Sequence, residues 1–249
     1  MTEKMRDRLI LLGLVLALWE LITGLKLLDP LLYPSPQTVF KLIIEDRDVF
    51  TKSLVSSFNL LFYGCLLALV TAIPLGLIVG WNRRLYSLIE PVMNILGPIP
   101  PIVYIPYAVA ILPTFKMSSA FIIFVGAFWP LFINTVSGVQ AVEQGIINSA
   151  RTLGVGYSTM LLRILLPGAM PHILTGGTIS LVMAFILLAA AEMIGATSGL
   201  GWYIKYFADF ADYHRVVAGI LVMGAVVFVL MIFYNRLAQY LLRWKLQKG

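Results

Sequence analysis

The sequence has little charge, one cysteine and two histidines: Asp, Glu, Lys and Arg together make up 12% of its 249 residues. Each scarcity excludes a class of protein. A lone thiol, Cys65, forms no intramolecular disulfide, and its place inside an apolar run makes it a small packing residue. His172 and His214 lie far apart near the ends of apolar stretches, and with a single cysteine they assemble no metal set. No Gly-x-x-x-x-Gly-Lys-Ser/Thr phosphate cradle occurs: Gly154-Val155-Gly156-Tyr157-Ser158 lacks both the spacing and the lysine, so this chain does not hydrolyse ATP by itself. No internal repeat of useful length is visible, which removes the signature of an inverted-repeat carrier.

What is abundant is apolar. The chain is 60% hydrophobic with a mean hydropathy of +0.92, far above the roughly half-apolar average of soluble domains, and reads as an all-α integral membrane protein. A net charge of +6 and a pI of 9.5 would suggest nucleic acid in a soluble chain. Here the basic residues gather at the ends of apolar spans, as orientation in a lipid bilayer requires, so no nucleic-acid partner is expected.

A spanning helix needs about 20 apolar residues. Six segments within a single transmembrane domain, residues 1–249, meet that need: 9–28, 54–81, 85–112, 118–140, 172–196 and 216–242. The first follows Lys4, Arg6 and Arg8 like a signal peptide, but no small-residue cleavage site follows it and retention is expected. Basic residues on one side (Lys4, Arg6, Arg8, Arg83, Arg84, Arg151, Arg163, Arg243, Lys245, Lys248) outweigh those on the other, where Lys26 sits at a span end. This places both termini, and the 141–171 segment, in the cytoplasm.

Between the first two spans, Tyr33-Pro34-Ser35-Pro36 breaks any helix, and residues 37–50 then read as an amphipathic surface helix. The third span is crowded with Pro91, Pro98, Pro100, Pro101, Pro106 and Pro113. Broken helix at membrane depth survives only where its backbone is buried in protein or lines a cavity, so this span is a candidate pathway element. Gly76 to Gly80 and Gly195 to Gly199 are small-xxx-small patterns that permit close packing.

Residues 141–171 carry Glu143, Gln144, Asn148, Ser149, Arg151, Thr152 and Arg163, too polar for lipid, while Ile146, Ile147, Ala150, Leu153, Met160, Leu161 and Ile164 recur at roughly helical spacing. The expectation is two short helices with a turn at Gly154 to Gly156, presenting one small knob shaped to be gripped. The alternative is an inert amphipathic connector.

Asn148-Ser149-Ala150, three residues, Gly154, then Ile164-x-Leu166-Pro167 resembles the EAA loop of binding-protein-dependent ABC importer permeases in its spacing, with Asn148 and Ser149 replacing the usual Glu and Ala. Tyr33-Pro34-Ser35-Pro36, Gly97-Pro98-Ile99-Pro100-Pro101, Ala190-Ala191-Glu192-Met193-Ile194-Gly195, Ser198-Gly199-Leu200-Gly201 and Leu241-Leu242-Arg243-Trp244 look like the nitrate/sulfonate/taurine branch, which also includes bicarbonate and thiamine-precursor importers. The resemblance covers the chain from about Leu9 to Trp244. It implies a type I importer-like permease in a bacterial inner membrane: a homodimer bound to two cytoplasmic ATPase subunits, which use ATP and magnesium, and to an extracytoplasmic substrate-binding protein. It also implies that Asn148, Ser149, Ala150, Arg151, Thr152, Leu153, Gly154, Val155 and Gly156, with Leu166 and Pro167, form the ATPase-coupling segment. There Gly154 permits the turn, and Pro167 ends the segment and starts the return into the membrane.

Two carboxylates lie in apolar surroundings, Glu20 and Glu192. Such groups usually face a bundle interior or water. Glu192 reads equally as a gate or as a structural anchor, and Glu20 beside Trp19 reads as structural. Trp81, Trp202, Tyr203 and Trp244 fit headgroup-level anchors. The pathway candidates are Pro98, Pro100, Pro101 and Tyr104 of the broken span, with Met183 and Glu192 of the fifth. The expected solute is small, polar and anionic, of the sulfonate/taurine, nitrate or bicarbonate class. The alternatives are a thiamine precursor or other small organic solute, or a secondary carrier, for which only Glu20 and Glu192 supply intramembrane charge.

Overall fold

The computed structural model describes residues 3–25 and 28–243. Trp244, Lys245, Lys248 and Lys26, invoked above as anchors or orienting charges, lie outside the described residues. The described chain is built of helices: α1 (Glu3–Gly24), α2 (Pro36–Glu45), α3 (Arg47–Trp81), α4 (Arg83–Leu96), α5 (Ile105–Ile111), α6 (Phe115–Gln140), α7 (Gln144–Thr152), the single turn α8 (Tyr157–Thr159), α9 (Leu166–Gly195), α10 (Leu200–Asp209) and α11 (Tyr213–Leu241). Four helices are long and apolar enough to cross a membrane: Arg47–Trp81, Phe115–Gln140, Tyr157–Gly195 and Tyr213–Leu241. A fifth crossing is possible if the bent pair Arg83–Leu96 and Pro101–Ile111, which turns through 82°, is one broken span. In α1 the apolar stretch is the shorter Gly13–Gly24.

Sequence periodicity and structure part company at three helix ends. The surface helix expected over 37–50 stops at Glu45, and Asp46 alone separates it from α3, which already begins at Arg47. Ser35 caps α2 by accepting from the Thr38 backbone N–H (3.3 Å), with Pro36 at the first position where a missing N–H costs nothing. Pro167 does not end the loop helix: Tyr157–Gly195 is one continuous rod. The rod absorbs the proline by widening to a π-helical turn over Met160–Leu165, in which the Leu166 N–H reaches back to the Leu161 carbonyl. That shift makes room for a pyrrolidine ring that would otherwise clash one turn back.

The chain divides into two compact units, one joining the chain up to Ser57 with Glu192–Val226, the other joining Phe58–Ala191 with the chain from Val227 onward. In the first, Val39, Phe50, Leu200, Tyr203 and Ala218 form the buried core, with Trp19, Trp202 and Phe207 packed on it. The Tyr203 ring lies 4.4 Å from that of Phe50 and 4.7 Å from that of Phe207. Asp46, the hinge residue between α2 and α3, accepts from the Tyr203 hydroxyl (2.7 Å) and from Arg215 Nε (2.8 Å), and Arg215 Nη1 donates to Asp212 (2.8 Å). Burial and the Asp46 hydrogen bond push the Tyr203 phenol above its ordinary range. Burial works to raise the Asp212 carboxyl, but the hydrogen bonds and charge of Arg215 outweigh it and hold the group below its usual value.

The second unit has two apolar clusters. One gathers Ala72, Leu77, Phe132, Val136, Val139, Ile147, Ala150, Met160 and Leu165, and the other Leu60, Ala68, Ile105, Ile122, Ile123, Ala184 and Leu187. Glycines on α3 let α6 approach: a Cβ at Gly76 would come 2.6 Å from Thr135 Cβ, and one at Gly80 2.8 Å from Val139 Cβ. The small-xxx-small pattern at 76–80 is therefore a helix contact. The one at 195–199 is not, because α9 ends at Gly195 and Gly199 begins a new helix with φ +131°.

Two outcomes follow for the first unit. Asp46→Asn, which leaves Arg215 facing a neutral amide, lowers stability by about 1–3 kcal/mol in detergent thermal unfolding, whereas Lys41→Gln at the exposed Lys41–Glu45 pair leaves the midpoint nearly unchanged. Because the Asp212 carboxyl is held low when folded, its stabilising share is full above about pH 4 and is lost as pH falls through the folded value. A midpoint that stays flat between pH 5 and pH 3 in wild type relative to Asp212→Asn contradicts that reading.

Candidate functional site

The polar segment forms a knob finished from within. Helix α7 buries Ile147 and Ala150 in the core of the second unit, while Ile146, Asn148, Ser149, Thr152 and Leu153 stay exposed, Leu153 at 81%. Its C-terminus closes as a Schellman turn: Gly154 N–H donates to the Arg151 carbonyl (3.0 Å) and Val155 N–H to the Ala150 carbonyl (3.1 Å), with Gly154 at φ +68°. Val155 then packs back onto the same core. Ser149 and Thr152 return their hydroxyls to the carbonyls of Gly145 (2.8 Å) and Asn148 (3.0 Å), so neither competes with the helix for an outside partner. Among the described residues, its two chain neighbours aside, nothing lies within 4 Å of where a Gly154 Cβ would stand, so glycine is favoured there by backbone conformation and not by contact with those residues. Gly156 ends the turn, and the second expected short helix is the start of the long Tyr157–Gly195 rod, which carries Leu166 and Pro167 in its interior.

The bent, proline-rich segment borders a cavity. After α4, Gly97 to Pro100 leads into a 3₁₀ turn at Pro101–Tyr104 and then α5. Pro98, Pro100, Pro101 and Met183 line one cavity of about 360 Å³, together with Ile99, Ile102, Val125, Gly126, Trp129, Pro130, Ile186 and Leu187. Tyr104 is not in that lining and packs against the second apolar cluster. Sequence reasoning missed Trp129 and Gly126. A Cβ on Gly126 would collide with Leu187, so α6 and α9 meet there at a glycine, but no local pattern marks that residue.

Glu192 is not among the residues lining that cavity; it belongs to the first unit and is fully buried. Its carboxyl accepts from the Ser57 hydroxyl (2.6 Å) and from the Gly201 N–H (2.8 Å), and the Ser57 oxygen accepts from the Leu200 N–H (2.9 Å). Leu200 and Gly201 are the first two residues of α10. An α-helix leaves its first N–H groups without internal partners, and here a carboxyl and a hydroxyl from two other helices satisfy them. Ser56 and Ser198 pair beside them (2.9 Å), and the Gly199 backbone lies so close that a Cβ would collide with the Glu192 carboxyl. The intramembrane acid is thus the remote cap of α10. Ser57 went unread because its partner is 135 residues away. The Glu20 carboxyl accepts, among the described residues, a single long bond, from Gln37 (3.4 Å). Among the described residues, no group of three or more His, Cys, Asp or Glu could hold a metal ion.

An all-helical membrane chain with a proline-broken, cavity-lining span and a preformed polar knob has the make-up of a transport subunit. Residues 72–245 match the family described as "Binding-protein-dependent transport system inner membrane component", and the chain belongs to that family. It is therefore the multi-pass, non-catalytic membrane component of an ABC importer that works with an ATPase and a substrate-binding protein. The chain is 30% identical over 240 residues to the taurine transport system permease protein of Escherichia coli, covering 94% of this chain and 87% of that one. Over 137 residues it is 36% identical to a nitrate import permease protein of Synechocystis sp., covering 55% of this chain and 50% of that one. Its fold is also that of a chain in the inward-facing MetNI methionine ABC transporter, with a TM-score of 0.67 at 19% identity over 79% of this chain and 98% of the other.

Removing the remote cap has a local signature. Ser57→Ala strips one acceptor and one donor from the Glu192 cluster, and Glu192→Leu removes both carboxyl oxygens and leaves the Gly201 N–H without its acceptor; each costs about 1–3 kcal/mol. Hydrogen exchange of residues 196–203 accelerates in both variants, while exchange in α6 stays as in wild type. Unchanged exchange at 200 in Ser57→Ala and at 201 in Glu192→Leu rules out the capping role.

Proposed function

We propose that this permease carries a small anion of the sulfonate, taurine or nitrate class, and that α7 with the Gly154 turn is the coupling segment seated in a groove of the ATPase. The observation that carries the coupling role is the exposed face of α7, with Leu153 outermost, on a helix whose other face shares one core with α3, α6 and the start of the Tyr157–Gly195 rod. A push on such a knob reaches spanning helices through packed side chains rather than through a slack loop. The anion class is supported by relatives named for taurine and nitrate transport. Two copies of the chain pair with two ATPase subunits, the termini and α7 face the cytoplasm, and the binding protein delivers solute from the other side. The pathway runs along the cavity at Pro98, Pro100, Pro101 and Met183, whose walls are largely apolar, so it passes the solute without gripping it. Selectivity then resides mainly in the binding protein. Import of a thiamine precursor by the same machinery is the second reading, since nothing in the cavity wall requires negative charge.

Uptake by the reconstituted permease, ATPase and binding protein tests both parts. Gly154→Asp, which places a charge on the open side of the turn, lowers ATP-driven uptake at least tenfold with membrane insertion unchanged. Gly154→Asn, which tolerates positive φ, retains most of it. Full uptake and normal ATPase retention by Gly154→Asp refute the coupling role. Uptake of a pyrimidine precursor in place of taurine, nitrate or bicarbonate refutes the anion class and leaves the coupling role standing.

A further inference from the structure

The inner side of α7 faces a cleft that the transport cycle leaves unexplained. The ends of α3, α4 and α6 and one face of α7 enclose about 630 Å³. Its charged lining has one sign: Arg83 from the first turn of α4 and Arg151 from the last turn of α7, flanked by the Gln140 and Gln144 amides and the rings of Trp81 and Tyr86. Neither arginine belongs to an ion pair among the described residues, and the guanidinium hydrogen bonds found among them are those of Arg215. Glu90, an acid on the same helix as Arg83, accepts from the Tyr86 hydroxyl (2.9 Å) and does not line the cleft.

The Arg151 guanidinium lies 5.0 Å from the centroid of the Trp81 ring. A cation over a ring face at this distance is held against it and still has N–H groups free to donate elsewhere. Gln144, Ile147 and Arg151 are spaced by three and four residues, so they share one face of α7. Ile147 on that face is buried, and Leu153 beyond the helix end is the most exposed part of the knob. A partner that grips Leu153 therefore meets a different surface from the one that closes the cleft.

We propose that this cleft binds a tetrahedral oxyanion, a phosphate or sulfonate group, bridged between Arg83 on α4 and Arg151 on α7. Arg83 and Arg151, both exposed, bring two like charges to one recess, and an oxyanion between them would replace like-charge repulsion with charge-assisted hydrogen bonds. The amides of Gln140 and Gln144 supply further donors, and Ile147 and Val139 close the apolar side. Bound there, the anion ties α7 to the start of α4 and stiffens the seat of the knob. The group can come from a free anion or from the phosphodiester of an anionic lipid, since both present the same oxygens. The proposal rests on the cleft and not on the identity of the transported solute.

The test uses the assembled permease–ATPase complex in phosphatidylcholine nanodiscs, with hydrogen exchange of residues 144–152 as the readout. One arm titrates sodium sulfate against sodium chloride of equal ionic strength. The other replaces part of the phosphatidylcholine with phosphatidylglycerol. Saturable protection of α7 in either arm, weakened about tenfold by Arg83→Gln, largely kept by Arg83→Lys and untouched by Arg84→Gln outside the cleft, is the expected result. Sulfate protection identifies a free anion, and protection by phosphatidylglycerol alone identifies a lipid headgroup. Protection that is absent from both arms, or equal in Arg83→Gln and wild type, overturns the proposal. So does loss of the ATPase from Arg83→Gln without any anion effect, which assigns the arginine to an acidic side chain of the ATPase.

Discussion

Backbone N–H and carbonyl groups find no water within a bilayer, so every interruption of a helix in this apolar chain must be satisfied by the chain itself. The three main interruptions meet that demand differently. At Gly199 the N–H groups of α10 are capped from afar by Glu192 and Ser57. At Gly154, on an exposed polar turn where water could serve as well, the closing carbonyls of α7 are taken by the next two N–H groups of the same chain. At Pro98 to Pro101 the prolines lower the number of donors needing partners, and a 3₁₀ turn accepts the remainder before α5 begins.

These solutions have different mechanical characters. The α10 cap joins residues 135 positions apart through buried hydrogen bonds, so opening it exposes several polar groups at once. The Schellman turn is local and sits on the surface, where its rigidity comes from conformation rather than from burial. The proline segment is bounded by a cavity and by Gly126, where α6 meets Leu187 with no side chain of its own. For an importer subunit this division is apt: rigid where helices must keep register, open where the proposed pathway runs.

Much of this was legible in the residues. Composition gave the membrane class, paired prolines gave the broken third span, and the run of polar residues around Gly154 gave the knob. What local pattern could not supply was partnership over long distance. Glu192 reads as a costly acid in apolar surroundings, and only the fold shows that Ser57 and two backbone N–H groups converge on it. Pro167 reads as a stop, because a stop is the usual effect of proline, yet a widened turn carries the helix through. Asp46 reads as one more charge on a surface helix, though it is the single residue between two helices and the acceptor for Tyr203 and Arg215. The sequence resemblance added the expected partner at α7, which no contact within one chain could have supplied.

The internal closure of the α7 turn bears on how subunits find one another. A surface element already in its final shape loses little conformational entropy on docking, so encounter with a complementary groove is a rigid-body event. In the proposed coupling role, discrimination between matched and mismatched motor subunits falls to a few protruding groups, with Leu153 foremost. Under that proposal, small side-chain exchanges at the tip redirect a permease to a different motor without refolding any part of it.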